Sequence, residues 1–219
     1  MLYAIRASLP DRPGVLGAVA TAIGSVPADI RSVSVVDHIG AYAVDEICVE
    51  ADGTSTEALR STIESLDGVV VEAVRRVGRI VDPLASLELA DLLARGIGSP
   101  VDVLVTGLVR AIAAEWAMAI DASDGVRVLA ATAGAPMTSF ETPWLPLQGA
   151  RRLGYAEWYP PRWRMTRPEL AAAPLSSAST AVLVARPSAM SFRDPELRQL
   201  DILAGLATRA ESRSAAALS

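Results

Sequence analysis

Strand-like alternation and helix-like periodicity follow one another in a fixed order over the first 78 residues of this 219-residue chain, and that order constrains the fold more than any other feature. Residues 2–8 alternate like a strand. Val15, Val19 and Ile23 then recur at i, i+4 and i+8 with Leu16 beside them, which makes one apolar helix face that Gly24 stops. Asp11 ahead of Pro13 is a helix-start signal, and it places Pro13 and Gly14 in the first helical turn, with Gly14 at a negative, helical φ. Residues 30–37 and 41–50 read as two strands with a turn at Gly40. Thr54-Ser55-Thr56-Glu57 has the form of a capping box. Leu59, Ile63 and Leu66 stripe the second helix, Gly68 ends it, and residues 69–77 make a last strand. The order βαββαβ predicts an antiparallel sheet with both helices on one face.

A short stretch at residues 78–82 reads as a linker. Asp82-Pro83 caps a helix reaching about Arg95, and Ser99-Pro100 caps another whose Val101, Leu104, Leu108 and Ile112 face inward. Residues 116–120 and 126–131 are strands around Ser123-Asp124-Gly125, a hairpin signal. Residues 134–175 are rich in Pro and aromatics and give no periodic reading. Residues 179–186 form a clear strand, and Phe192 to Leu197 opens a long last helix lined by Leu197, Leu200, Leu203 and Leu206, with its tail fraying after Glu211. The fold class is therefore α+β, in two domains, 1–78 and 83–210.

Composition removes several function classes. With one His (His38) and one Cys (Cys48), a zinc or redox-metal site of ordinary N/S type is out of reach within one chain, and no cofactor is expected. No G-x-S-x-G elbow and no Walker loop is present, and Gly96-Ile97-Gly98 fails the dinucleotide fingerprint because its third position is Val101. Cys48 lies in an apolar strand and reads as core, and His38 as an ordinary exposed or half-buried residue. No apolar run reaches the roughly 20 residues of a membrane span, and the first residues lack a basic-then-apolar signal. The expectation is a cytoplasmic protein that touches neither membrane nor nucleic acid. The net charge of −5 and the lack of a helix-turn-helix support the second exclusion.

The first segment resembles an ACT domain in strand order, length and the Asp11-Arg12-Pro13-Gly14-Val15-Leu16 motif. The resemblance implies a ferredoxin-like module that binds an amino acid in its β1–α1 turn, at an interface between two copies, so a homodimer or higher homo-oligomer. It implies ligand contacts from Asp11, Arg12, Pro13, Gly14, Val15 and Leu16, with Asp29 and Ile30 supplied by the partner subunit. A helix N-terminus presents N–H groups and partial positive charge to a carboxylate, and Asp11 is placed for an ammonium. The same residues serve equally as a cap, with Asp11 closing the helix and Pro13-Gly14 shaping the turn, and both readings stay open.

The second segment resembles a GAF domain, another ligand-sensing module, in its two opening helices, its hairpin, the strand Ala181-Val182-Leu183-Val184 and the Phe192-Arg193-Asp194-Pro195-Glu196-Leu197 lead into the final helix. It has no Cys for a bilin thioether and no cyclic-nucleotide signature. Residues 144–167 combine Trp144, Tyr155, Trp158, Tyr159 and Trp163 with Arg151, Arg152, Arg162, Arg164 and Arg167. Such a segment serves as an aromatic-and-arginine pocket walled by Trp158, Arg162, Trp163 and Arg164, or as a lid with solvated arginines. The sequence thus predicts a regulatory protein without catalysis that senses a small metabolite, an amino acid. Two alternatives stand beside it: an enzyme or enzyme subunit using the second pocket, and a dimerisation scaffold with silent pockets.

Overall fold

The computed structural model describes every residue from Met1 to Leu218 except Arg79, Val81, Thr138, Ser139 and Ala189. The chain divides into two compact units, Met1–Ile80 and Val81–Ser219.

The first unit runs β1 (Leu2–Pro10), α1 (Val15–Gly24), β2 (Ala28–Ile39), β3 (Tyr42–Ala51), α2 (Thr56–Glu64) and β4 (Val70–Val77). Its sheet has the order β2-β3-β1-β4 with every pairing antiparallel. Alternation sends Ile5, Ala7 and Leu9 of β1 and Ile47 and Val49 of β3 to one side, where they pack with Val19 and Ile23 of α1 and Leu59 and Ile63 of α2. β2 is longer than its sequence pattern, and its central residues are largely exposed because it is an edge strand.

Two helix starts differ from expectation. α2 is capped by Ser55, whose Oγ accepts from the Ala58 N–H at 3.1 Å. The cap lies one residue later than a Thr54–Glu57 box requires, so Glu57 acts through the helix dipole alone. α1 has no side-chain cap, and its N-cap residue is Gly14 at φ 91°, ψ −17°. Pro13 and Gly14 therefore precede the helix, and Asp11 does not cap it. Arg12-Pro13-Gly14-Val15 is a type II turn, with Pro at its second position, left-handed Gly at its third, and Val15 N–H donating to Arg12 O at 3.4 Å.

The second unit contains α3 (Ala85–Arg95), α4 (Pro100–Ala111), β5 (Trp116–Asp121), β6 (Arg127–Ala131), β7 (Arg151–Leu153), α5 (Pro161–Thr166), β8 (Glu169–Pro174), β9 (Thr180–Arg186) and α6 (Asp194–Leu218). The sheet order is β6-β5-β9-β8-β7, again wholly antiparallel. One sheet face, Ala117, Ala119, Ala171, Ala173, Val182 and Val184, packs on α3, α4 and α6. Its alanines let the helices lie close. The same tightness recurs between α3 and α4, where a β-carbon on Gly107 would stand 2.8 Å from Leu89 Cδ2 and 3.0 Å from its Cγ.

The other face, Met118, Ile120, Leu170, Ala172 and Leu183, is covered by aromatic side chains from the stretch that gave no periodic reading. α6 does not fray after Glu211. It continues to Leu218 through an alanine-rich segment of high helix propensity. At its start the Glu196 carboxylate accepts from the Arg193 N–H at 2.8 Å, the reciprocal half of a capping box. No helix among the described residues is long and apolar enough to cross a membrane.

Candidate ligand sites

The β1–α1 turn is fastened from both sides. Asp11 N–H donates to Ala41 O at 2.8 Å, which ties the turn to the tip of the β2–β3 hairpin, and Gly14 O accepts the Ala18 N–H at 2.9 Å as the helix begins. Asp11, Arg12, Pro13, Gly14 and Leu16 are exposed, while half-buried Val15 anchors the helix start to the core. A β-carbon on Gly14 would meet nothing within 4 Å, so there is open space beside this glycine. The first-turn N–H groups point out of the helix.

His38 reaches this turn from β2, with Nε2 4.0 Å from Asp11 Oδ2. Beneath them lies Asp45 of β3, only 3% exposed, whose Oδ1 has no hydrogen-bond partner among the described residues. Burial pushes the Asp45 carboxyl above its ordinary range. His38 opposes the rise, and the negative field of Asp11 adds to it. Asp45 sits beside Glu46 in β3 and gave no motif. The signal that could have found it is a lone acid on the inward-facing alternation of Ala43, Ile47 and Val49.

Asp29 and Ile30 are not part of this constellation within one chain. Asp29 pairs across the sheet with Glu50 and His38 with Ala43, so they occupy opposite ends of β2, roughly 30 Å apart at the rise of a strand. Exposed Asp29 holds Arg31 at 3.3 Å, and Ile30 packs against the core. Buried Cys48 has its thiol pushed up by burial, with Glu46 adding and Arg75 opposing, which suppresses thiolate chemistry.

In the second unit the predicted pocket wall comes apart. Trp163 is 2% exposed and is a core residue, with its ring 5.5 Å from Trp116 and 5.0 Å from Phe140. Arg164 binds the chain itself, its Nε donating to Tyr159 O at 2.7 Å and its Nη2 to Glu157 O. Arg162 is exposed on α5. Trp158 does line a recess of about 270 Å³, with Pro143, Trp144, Leu153 and Gly154, but the arginines there are Arg151 and Arg152. Arg151 also holds Trp144 O at 3.1 Å. Tyr159 donates its hydroxyl to Leu153 O at 3.1 Å; burial, with Glu169 adding, pushes that hydroxyl up to about 12. A second cavity of about 390 Å³ lies along α3 and α4, lined mainly by Leu89, Leu92, Val103 and Gly107. Sequence reading missed it because each helix shows the same apolar stripe whether or not its neighbour fills the groove.

Among the described residues no group of three or more His, Cys, Asp or Glu is arranged to hold a metal ion. No protein-family model matches the sequence, and no curated protein matches it. Among solved structures the chain is similar to the GAF domain of a protein assigned as a sensor histidine kinase from Pseudomonas syringae pv. tomato, at 15% identity and a TM-score of 0.44 over 62% of this chain and 89% of that one. It is also similar to the GAF domain of a phosphoenolpyruvate-protein phosphotransferase from Coxiella burnetii, at 14% identity and a TM-score of 0.44 over 62% of this chain and 99% of that one. A protein of unknown function from Galdieria sulphuraria gives 13% identity and a TM-score of 0.34 over 98% of this chain and 93% of that one.

Proposed function

We propose that this chain is a cytoplasmic regulatory protein without catalysis, in which an ACT-like unit senses an amino acid and is joined to a GAF-like unit. The observation that carries the reading is the β1–α1 turn, where a left-handed Gly14 with open space beside it precedes a helix N-terminus and acidic Asp11 stands alongside. A helix N-terminus suits a carboxylate and an aspartate suits an ammonium, so the two ends of a zwitterion find opposite partners. Two copies pair through the edge strand β2, which carries exposed Val33, Val35 and Ile39 and is 12 residues long. An uncovered apolar edge of that length otherwise invites aggregation. Pairing is also what brings Asp29 and Ile30 of a second copy to the turn.

A thermal-shift screen of the full chain against the common L-amino acids tests the proposal. A ligand at about 100 times its Kd adds about 2.7 kcal/mol to the state that binds it. Stabilisation without turnover is the expected result, and no response to any amino acid would sink the reading. Light scattering that finds a 22.9 kDa monomer at micromolar concentration would remove the paired arrangement. The recess walled by Trp158, Arg151 and Arg152 favours an anionic ligand in the second unit as a further reading. Anionic metabolites in the same screen address it.

A further inference from the structure

The strand register places Asp45 with respect to the turn. Asp45 pairs with Ala7 on one side and Val35 on the other, and the next row outward on the same face is Leu9, Ala43 and His38. Leu9 leads through Pro10 into Asp11, whose N–H is held by Ala41. Asp45, His38 and Asp11 therefore converge under the β1–α1 turn. Asp45 is 97% buried by its 3% exposure, and its Oδ1 lacks a donor among the described residues. A buried carboxylate oxygen without a donor is costly, and folded chains rarely leave one so. The missing partner is a hydrogen-bond donor carrying positive charge. A metal ion does not fit, since these side chains do not form a metal-holding group. A primary ammonium does, because it donates singly to one carboxylate and gains from the field of a second without shared coordination geometry.

We infer that Asp45 is the counter-ion of a primary ammonium group, bound beneath the β1–α1 turn with Asp11 as its outer neighbour. The inference rests on the amino-acid reading above and adds the residue that would recognise the nitrogen. The exposed side chains of Asp11 and His38 form the lip, and the ammonium enters by displacing them. Burial raises the Asp45 carboxyl, and a cation beside it acts in the opposite direction, favouring the charged form.

The test uses methylammonium chloride, a probe that has the nitrogen and nothing else, with carboxyl-carbon and imidazole resonances of the full chain followed by NMR. Saturable shifts at Asp45 and His38, absent with sodium chloride at equal ionic strength, are expected. Equal responses to both salts would overturn the inference. A second arm compares the amino acids that stabilise the wild type with Asp45→Asn, where about tenfold weaker binding is expected. Unchanged binding in folded Asp45→Asn overturns the ammonium site and leaves the amino-acid reading standing. Methylammonium binding with no response to any amino acid does the reverse. If Asp45→Asn does not fold, the wild-type methylammonium titration decides alone.

Discussion

An alanine at position 14 puts a β-carbon on a residue whose φ is +91°. L-residues pay roughly 1–2 kcal/mol in the left-handed region. The usual helical gain of Ala over Gly, up to about 1 kcal/mol, does not offset this, because Gly14 stands before the first helical residue. No clash adds to the penalty, since nothing lies within 4 Å of the new atom. Gly14→Ala should therefore destabilise the first unit by about 1–2 kcal/mol, a factor of roughly 5–30 in its opening equilibrium. Native-state hydrogen exchange at the buried Val19 and Ile23 amides reads this directly as faster exchange by that factor. Gly14→Asn keeps most of the stability, because Asn tolerates the left-handed region, while its side chain fills the open space. It should fold, exchange nearly as the wild type does, and lose its amino-acid response in calorimetry. Protection in Gly14→Ala that equals or exceeds that of the wild type would refute the turn geometry. Undiminished affinity in folded Gly14→Asn would refute the site.

Asp45→Asn should raise stability at pH 7 by about 1 kcal/mol by removing a buried charge with an unpaired oxygen. A carboxyl whose folded pKa is raised holds its proton more tightly in the folded chain, so the wild type recovers as pH falls through that raised value and the advantage of Asn vanishes below the unfolded value of 3.8; urea denaturation at neutral and acid pH measures the crossing. Asp121 behaves oppositely. The Ser123 N–H above all, with Arg127, Ser123 and Ser179 side chains, lowers it to about 2, so its contribution is complete above 3.8 and is lost down to about 2. Asp121→Asn should flatten that part of the acid-unfolding curve followed by tryptophan fluorescence, which reports the second unit because all four tryptophans lie there. Gly107→Ala should cost about 1 kcal/mol by denaturation, an overpacking penalty of roughly 1–3 kcal/mol against Leu89 less the helical gain of Ala. Trp163→Ala should cost about 3–5 kcal/mol, whereas Arg162→Ala should stay within about 0.5 kcal/mol. Similar losses for the two would show that α5 is a surface lid and not part of the core.

Where side-chain period and burial coincide, the chain could be read directly. In the first unit α1, α2 and β4 are buried on one side only, so Val19 and Ile23, Leu59 and Ile63, or Val71 and Ala73 mark their face by spacing alone. β8 shows the opposite case. Its Leu-Ala-Ala-Ala run is buried on both faces, which erases alternation, and Ala is a poor strand former, so its pairing with β9 and β7 makes it a strand. β7 and α5 are too short for any period to register. The Arg/Trp segment misled for a related reason. Composition shows that aromatics and arginines are near one another, but not that Trp163 points inward and Arg164 spends its donors on loop carbonyls.

Position 14 was legible in principle. Pro-Gly is a strong type II turn signal, yet Pro is equally at home in the first turn of a helix, and the two assignments differ in the sign of one φ. What selects between them is the hairpin tip. Ala41 O takes the Asp11 N–H, which draws the chain back across the end of the sheet before the helix can start. A helix beginning at Asp11 would carry its N-terminus away from His38 and Asp45. Beginning at Val15, after a left-handed glycine, it keeps its N-terminus beside Asp11, with His38 and Asp45 gathered under the same turn. The glycine that the sequence places in the first helical turn is thus the residue that separates helix from strand, through a left-handed φ that a helical position would not have.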